Sequence, residues 1–155
     1  MTETDNWLAE FEARHESAAS PTVYRLSLLL LLIGTVGLLW ALPVPNEFAS
    51  ISPLINWGSV FLMAALVYYF VISLSLGIGM VPFMLGIGVL QIWLSHRPVP
   101  LAYSSSVLIG AAIAGLCFGH YASGGWRAVL KDVQLVMIAP IWVLSNIYRK
   151  LGIPY

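Results

Sequence analysis

The sequence predicts an all-α integral membrane protein, and three observations lead to this fold class. Of its 155 residues, 59% are hydrophobic and only 9% are charged, whereas an ordinary soluble domain has roughly 25% charged residues. The mean hydropathy is +0.87. Several apolar runs approach the roughly 20 residues that a helix needs to cross a bilayer. We therefore expect one membrane domain, residues 1–155, folded as a bundle of four transmembrane helices, or five if the last apolar run also crosses.

The N-terminal segment predicts a helix that lies at the membrane interface. Over residues 5–16, Trp7, Leu8, Phe11 and His15 fall on one side at helical spacing, and the surrounding residues are acidic or polar. This acidic start is unlike a cleaved signal peptide. The stretch "SAASP" then ends the helix, and Pro21 suits the first turn of the next one.

Four apolar segments have the length and composition of membrane spans: residues 24–42, 55–75, 76–94 and 101–120. In the second, Trp57, Tyr68 and Tyr69 are candidate interfacial aromatics. In the third, glycines at 77, 79, 86 and 88 favour close helix packing, and a proline at 82 favours a kink. The last run, residues 133–148, is shorter and contains a proline at 140, so it predicts a re-entrant helix, an interfacial helix or a fifth span.

The distribution of basic residues favours four crossings. With four spans and a last segment that does not cross, a single side of the membrane carries Arg14, Arg25, Arg127, Lys131, Arg149 and Lys150, and Arg97 lies on the other side. The positive-inside rule makes the first side cytoplasmic, together with the N-terminus. The membrane would be the inner membrane of a bacterium or the endoplasmic reticulum of a eukaryote. Because seven basic residues balance seven acidic ones, we expect no nucleic-acid partner.

The three histidines are the strongest candidates for chemistry, because ionisable groups beside apolar segments are functional hypotheses by default. Imidazole binds iron, zinc, copper or nickel, so His15, His96 and His120 are candidate metal ligands. A straight helix from residue 96 to residue 120 would separate its ends by about 36 Å. We therefore place His15 and His120 first, as catalytic metal ligands, and His96 third, joining them if residues 97–106 dip back into the bundle.

Each histidine also has a simpler interpretation. His15 has acidic neighbours at a membrane interface, His96 is a polar residue at the end of a span, and His120 suits a helix C-terminus as a cap. The charged residues after His120 also have two interpretations each. Asp132 could orient a metal-bound histidine or cap a helix, and Arg127 and Lys131 could attract an anion or anchor the topology.

The segments "FGH", "KDVQLVMIAP" and "NIYRKLGIPY", with the N-terminal "WLAEFEARH", resemble the family of 2-hydroxy-fatty-acid dioxygenases, which are small multi-pass membrane proteins. The resemblance spans nearly the whole chain and is strongest over residues 96–153. It implies an Fe(II)-dependent enzyme that uses dioxygen to shorten a 2-hydroxy fatty acid by one carbon. The histidines would hold the iron, and Arg127 or Lys131 would meet the carboxylate of the fatty-acyl substrate.

The chain departs from this family at one position. The family has a second histidine nine positions after the first, and here Tyr24 occupies that position, or Ser27 if the segments are aligned on Pro21. A divergent member that lacks this ligand has an alternative function. It would be a non-catalytic lipid-binding or scaffold protein of the membrane that has lost the metal site. The sequence leaves the oligomeric state open.

Overall fold

A computed structural model describes residues 21–119 and 139–151, and these residues form helices joined by short connections. The helices are α1 (Pro21–Ala41), α2 (Asn46–Ile51), α3 (Trp57–Ile72), α4 (Leu74–Ser95), α5 (Leu101–Gly119) and α6 (Ala139–Leu151). The all-helical class is as predicted for this part of the chain. The interfacial helix predicted at residues 5–16 lies outside the described residues, as do residues 133–138 of the last predicted segment.

Three of these helices are long and apolar enough to cross a membrane: Thr22–Ala41, Leu74–Ser95 and Leu101–Phe118. They coincide with the first, third and fourth predicted spans to within three residues. The second predicted span, residues 55–75, forms the shorter apolar helix α3, which ends at Ile72. With 16 residues, α3 has a length of about 24 Å, less than the roughly 30 Å of hydrocarbon in a bilayer.

The start of α3 follows from local chemistry. In α1, Pro21 is the first residue that the structure describes. Helix α3 begins with a capping box: the Asn56 side chain accepts a hydrogen bond from the Ser59 amide at 3.0 Å, and the Ser59 hydroxyl receives one from the Asn56 amide at 3.1 Å. Asn56 is buried, so this cap replaces water at the helix end.

Helices α3 and α4 form a tight antiparallel hairpin. Only Ser73, in an extended conformation, separates them. Next to this turn, a Cβ atom on Gly77 would lie 2.7 Å from the Phe70 ring and 3.0 Å from the Phe70 Cα, so only glycine allows this approach. The predicted role of the glycines in α4 is therefore confirmed at Gly77 but is wrong at Gly86, which faces open space.

The contacts divide the chain into two compact units. One comprises residues 33–108, and the other comprises residues 1–32 with 109–155. In the first unit, the core contains Val36, Leu62, Ala65, Tyr69, Leu76, Met80, Met84 and Ile87. The prediction of Tyr69 as an interfacial aromatic is wrong, because its side chain is fully buried among these residues; Trp57 and Tyr68 are exposed.

In the described part of the second unit, α6 is an amphipathic helix, and its 13 described residues correspond to about 20 Å. Ile141, Trp142 and Ser145 are buried on one side, and the Arg25 guanidinium of α1 lies 4.7 Å from the centre of the Trp142 ring.

Candidate functional site

Of the six residues predicted to form the site, the structure describes only His96. The other five, His15, His120, Arg127, Lys131 and Asp132, lie outside the described residues, so their roles stay predictions. Within residues 21–119 and 139–151, no group of three histidine, cysteine or acidic side chains is close enough to hold a metal ion. The described part of the chain therefore brings none of the predicted ligands together.

His96 caps the C-terminal end of α4 with a defined ring orientation. Its Nδ1 atom lies 2.7 Å from the carbonyl oxygen of Ile92, one helical turn earlier. Because a carbonyl only accepts hydrogen bonds, Nδ1 is the protonated nitrogen in this contact. In the neutral ring this leaves the lone pair on Nε2, the tautomer that a metal-binding histidine adopts when a backbone carbonyl orients it.

The connection after His96 remains on the surface. Residues 98–100 are exposed, and α5 begins directly afterwards at Leu101 and continues without interruption to Gly119. The alternative in which residues 97–106 dip into the bundle is therefore wrong. The physical reason is that α5 begins directly after the proline-rich segment. From there the backbone groups are hydrogen-bonded within the helix, so the chain continues as an uninterrupted helix.

A groove of about 270 Å³ lies between α3 and α4, on the side where α3 begins and α4 ends. Its walls are formed from α3 by Leu62, Met63 and Leu66, and from α4 by Leu85, Val89 and Ile92. Two lining side chains carry a polar group, the Trp40 indole and the Ser59 hydroxyl, and the Ser59 hydroxyl already donates to the Asn56 carbonyl at 2.9 Å. The groove therefore offers a ligand an almost entirely apolar surface.

The groove opens sideways, toward the surroundings of the helix pair. Met63 is 70% exposed, and Leu85 and Val89 are each 65% exposed. Gly88 also lines the groove, and an added Cβ atom there would come within 3.9 Å of Leu62, an ordinary contact distance. Because Gly88 has no side chain, a larger residue at this position would project into the groove.

The α4 wall of the groove continues into an aromatic and cationic end. Val89, Trp93 and Arg97 follow one another at intervals of four residues, which places them along one helix face. The Arg97 guanidinium lies 3.9 Å from the centre of the Trp93 ring, and both side chains are exposed. Tryptophan with a cation at a helix end is typical of the boundary between hydrocarbon and headgroups.

A buried polar cluster lies in the same unit and was not predicted from the sequence. Gln91 is fully buried and Ser105 is 1% exposed, and both face Gly37 of α1. The sequence did carry a signal for this cluster, because Gln91 is the one amide in the apolar run 76–94. The groove had no such signal, because its residues are the ordinary apolar residues of two spans.

Comparison of the chain with protein-family models, with curated proteins and with solved structures gives no match. The class of protein that the described residues support is therefore a helical one in which three helices could cross a membrane.

Proposed function

We propose that this protein is a multi-pass membrane protein that binds the hydrocarbon chain of a membrane amphiphile in the groove between α3 and α4. The observation that carries the proposal is the almost entirely apolar lining of the groove, in which the Ser59 hydroxyl is already bonded within its own helix cap. A ligand there gains mainly from burial of hydrocarbon. The volume, about 270 Å³, is near the lower end for ligand pockets, roughly 300 Å³, and suits a single chain.

The polar head of such a ligand would lie at the end of the groove that carries Trp93, His96 and Arg97. Ile92 lines the groove, and its carbonyl oxygen accepts a hydrogen bond from the His96 ring. The His96 ring therefore lies at the end of the apolar lining. Arg97 supplies a positive charge at the same helix end. A carboxylate or phosphate head would therefore be attracted to this end.

The proposed topology has four crossings, with α3 as the fourth spanning helix and the N-terminus in the cytoplasm. Support comes from the antiparallel hairpin: if α4 crosses the membrane, the tight turn at Ser73 requires α3 to begin on the side where α4 ends. Side chains at both ends and local thinning can accommodate a helix that is shorter than the bilayer. Four crossings also place six basic residues on one side, as the positive-inside rule favours.

Cysteine labelling tests this topology. In a Cys117→Ser background, which removes the chain's single cysteine, Glu47→Cys and Ser95→Cys should react with an impermeant thiol reagent from the same side of sealed vesicles, and Ser73→Cys from the other. Reaction of Glu47→Cys from the same side as Ser73→Cys, with Ser95→Cys on the other side, would rule out α3 as a span.

A pair of glycine variants tests ligand binding. Gly88→Leu places a side chain in the groove, whereas Gly86→Leu, two residues away on the same helix, faces open space. Purified protein in nanodiscs would be titrated with a fluorescent long-chain fatty acid. We expect Gly88→Leu to raise the dissociation constant at least about tenfold, a change of roughly 1.4 kcal/mol, and Gly86→Leu to leave it unchanged. Equal affinity of both variants would refute binding in this groove.

A second candidate function is an Fe(II)-dependent dioxygenase that shortens 2-hydroxy fatty acids. It rests on the sequence resemblance. In this proposal His15 and His120 are the iron ligands, Asp132 orients a histidine, and Arg127 or Lys131 binds the carboxylate. His96 is left out of the ligand set, because residues 97–106 do not dip into the bundle.

Metal analysis of purified protein tests the dioxygenase. The parent chain should contain iron, and the variants His15→Ala and His120→Ala should contain less. Incubation with a 2-hydroxy fatty acid under oxygen should yield the product one carbon shorter. Iron-free protein that still binds a fatty acid at the groove would refute the dioxygenase and would support lipid binding as the function.

A further inference from the structure

The buried polar cluster of Gly37, Gln91 and Ser105 has the features of a ligand site that is separate from the groove. The three residues belong to α1, α4 and α5, and each lies four residues from an end of its helix. At about 1.5 Å per residue, they are roughly 6 Å inside the helix ends. The cluster therefore lies within reach of the membrane interface, although its side chains are excluded from solvent by the protein itself.

The hydrogen bond of Gln91 to α1 fixes the orientation of its side-chain amide. Nε2 donates to the Ile33 carbonyl oxygen at 2.9 Å, and only the amide nitrogen can make this bond. The other amide atom, Oε1, is buried and has no hydrogen-bond partner among the described residues. A buried acceptor without a partner costs on the order of 1–3 kcal/mol, so a donor in this position would be bound favourably.

The Ser105 hydroxyl lies on the same side of Gly37 as this oxygen. A Cβ atom on Gly37 would overlap Ser105 Oγ and would lie 3.0 Å from Gln91 Oε1. A glycine at this position thus leaves room for two oxygen atoms from two different helices. Both can accept a hydrogen bond, and the hydroxyl can also donate one.

We propose that a water molecule binds in this cluster, donating one hydrogen bond to Gln91 Oε1 and forming a second with Ser105 Oγ. A buried water typically has two to four polar partners, and these two oxygens supply the minimum. A divalent cation would need six or more oxygen ligands, which this set does not provide.

This water connects three helices within residues 33–108. Gln91 already links α4 to α1 through Ile33, and the water extends the link to Ser105 of α5. Polar contacts between helices in a membrane specify which faces pack together, where apolar side chains alone discriminate poorly between partners. The cluster would thus fix the alignment of α1, α4 and α5 near one membrane surface.

An experimental structure of the full chain in nanodiscs, at a resolution that shows ordered water, tests the proposal directly. We expect a peak within hydrogen-bond distance of both Gln91 Oε1 and Ser105 Oγ. A direct hydrogen bond between these two side chains, with no peak, would overturn it.

Two neighbouring serines of α5 provide a matched pair of variants. Ser105→Ala removes one partner of the water, whereas Ser106→Ala removes an exposed hydroxyl that bonds to the Ala102 carbonyl within its own helix. We expect Ser105→Ala to lower the thermal unfolding midpoint by about 3 °C and Ser106→Ala to leave it unchanged. Equal midpoints for the two variants would count against the water.

Titration of the parent protein with sodium and potassium chloride separates water from a bound monovalent cation. For a bound water, the unfolding midpoint should show the same dependence on concentration for both salts. A rise specific to one cation that disappears in Ser105→Ala would assign the cluster to that ion and would refute the water.

Discussion

Among the residues that the structure describes, two contacts between glycine and serine join helices, and the two serines differ in their hydrogen bonding. A Cβ atom on Gly115 would overlap Ser27 Oγ, and this hydroxyl donates to the Val23 carbonyl of its own helix at 2.8 Å. A Cβ atom on Gly37 would overlap Ser105 Oγ beside the unpartnered oxygen of Gln91. The first contact is close packing with a locally bonded hydroxyl, whereas the second brings together polar atoms of two helices. Similar residue pairs thus serve packing in one place and polar recognition in the other.

Gly37→Ala should have the largest effect, because the new methyl group meets side chains of two helices. Overpacking costs typically 1–3 kcal/mol, and we expect a loss near the upper end of that range in the free energy of unfolding, measured by SDS titration of the purified protein. Ser105→Ala in the same chain removes the overlapping oxygen and should recover part of the loss. A double variant less stable than Gly37→Ala alone would contradict the arrangement at this contact.

Gly115→Ala should have a smaller effect than Gly37→Ala, about 1–2 kcal/mol by the same measurement. The added methyl group meets Ser27, while the next neighbour, the Val23 side chain, is 3.7 Å away, an ordinary contact distance. Gly110→Ala is the control, because an added Cβ there has no neighbour within 4 Å, and it should be neutral or slightly stabilising. A Gly115→Ala variant as stable as this control would show that the contact with Ser27 is loose.

Replacement of Arg25 tests the contact of α6 with α1. The guanidinium lies over the Trp142 ring, which is only 5% exposed, so Arg25→Gln should cost about 1 kcal/mol of unfolding free energy. Arg97→Gln is the matched variant, because Arg97 lies over the Trp93 ring, which is 53% exposed. Its cost should be about 0.5 kcal/mol or less. A larger loss of unfolding free energy for Arg97→Gln than for Arg25→Gln would show that the Arg97–Trp93 contact is the stronger of the two.

Ser27→Ala should have the smallest effect. Its hydroxyl bonds within α1, and such a bond adds little to a helix whose carbonyl is already used by the backbone. We expect a change within about 0.5 kcal/mol in the same titration. A change comparable to that of Ser105→Ala would show that the two serines do not differ as described.

Much of the helical architecture was predictable from the sequence, because hydropathy reports directly on the length of a membrane helix. Residues 24–42, 76–94 and 101–120 were expected as spans and form α1, α4 and α5 with small shifts at their ends. The shift of the α3–α4 boundary to Ser73 had no hydropathy signal, because the turn is a single residue between two apolar runs. The close approach of Gly77 to Phe70 lies beside this turn.

The candidate sites were less predictable. The metal site predicted from three histidines stays a prediction, since His15 and His120 lie outside the described residues. Neither the groove nor the polar cluster was predicted. Their residues come from helices that are distant in the sequence, and a single chain carries no record of which helix faces meet.

The sequence by itself determined that this is a helical protein with membrane-length segments, because apolar composition and the 20-residue length requirement act along the chain. The tertiary structure alone decided which glycines make close contacts, that Tyr69 is buried, that Gln91 and Ser105 both face Gly37, and that Gln91 bonds to Ile33. The physical reason is that nearly every face of these helices is apolar. Small residues and a few hydrogen bonds then select the packing, and both depend on distances between helices rather than on spacing along one of them.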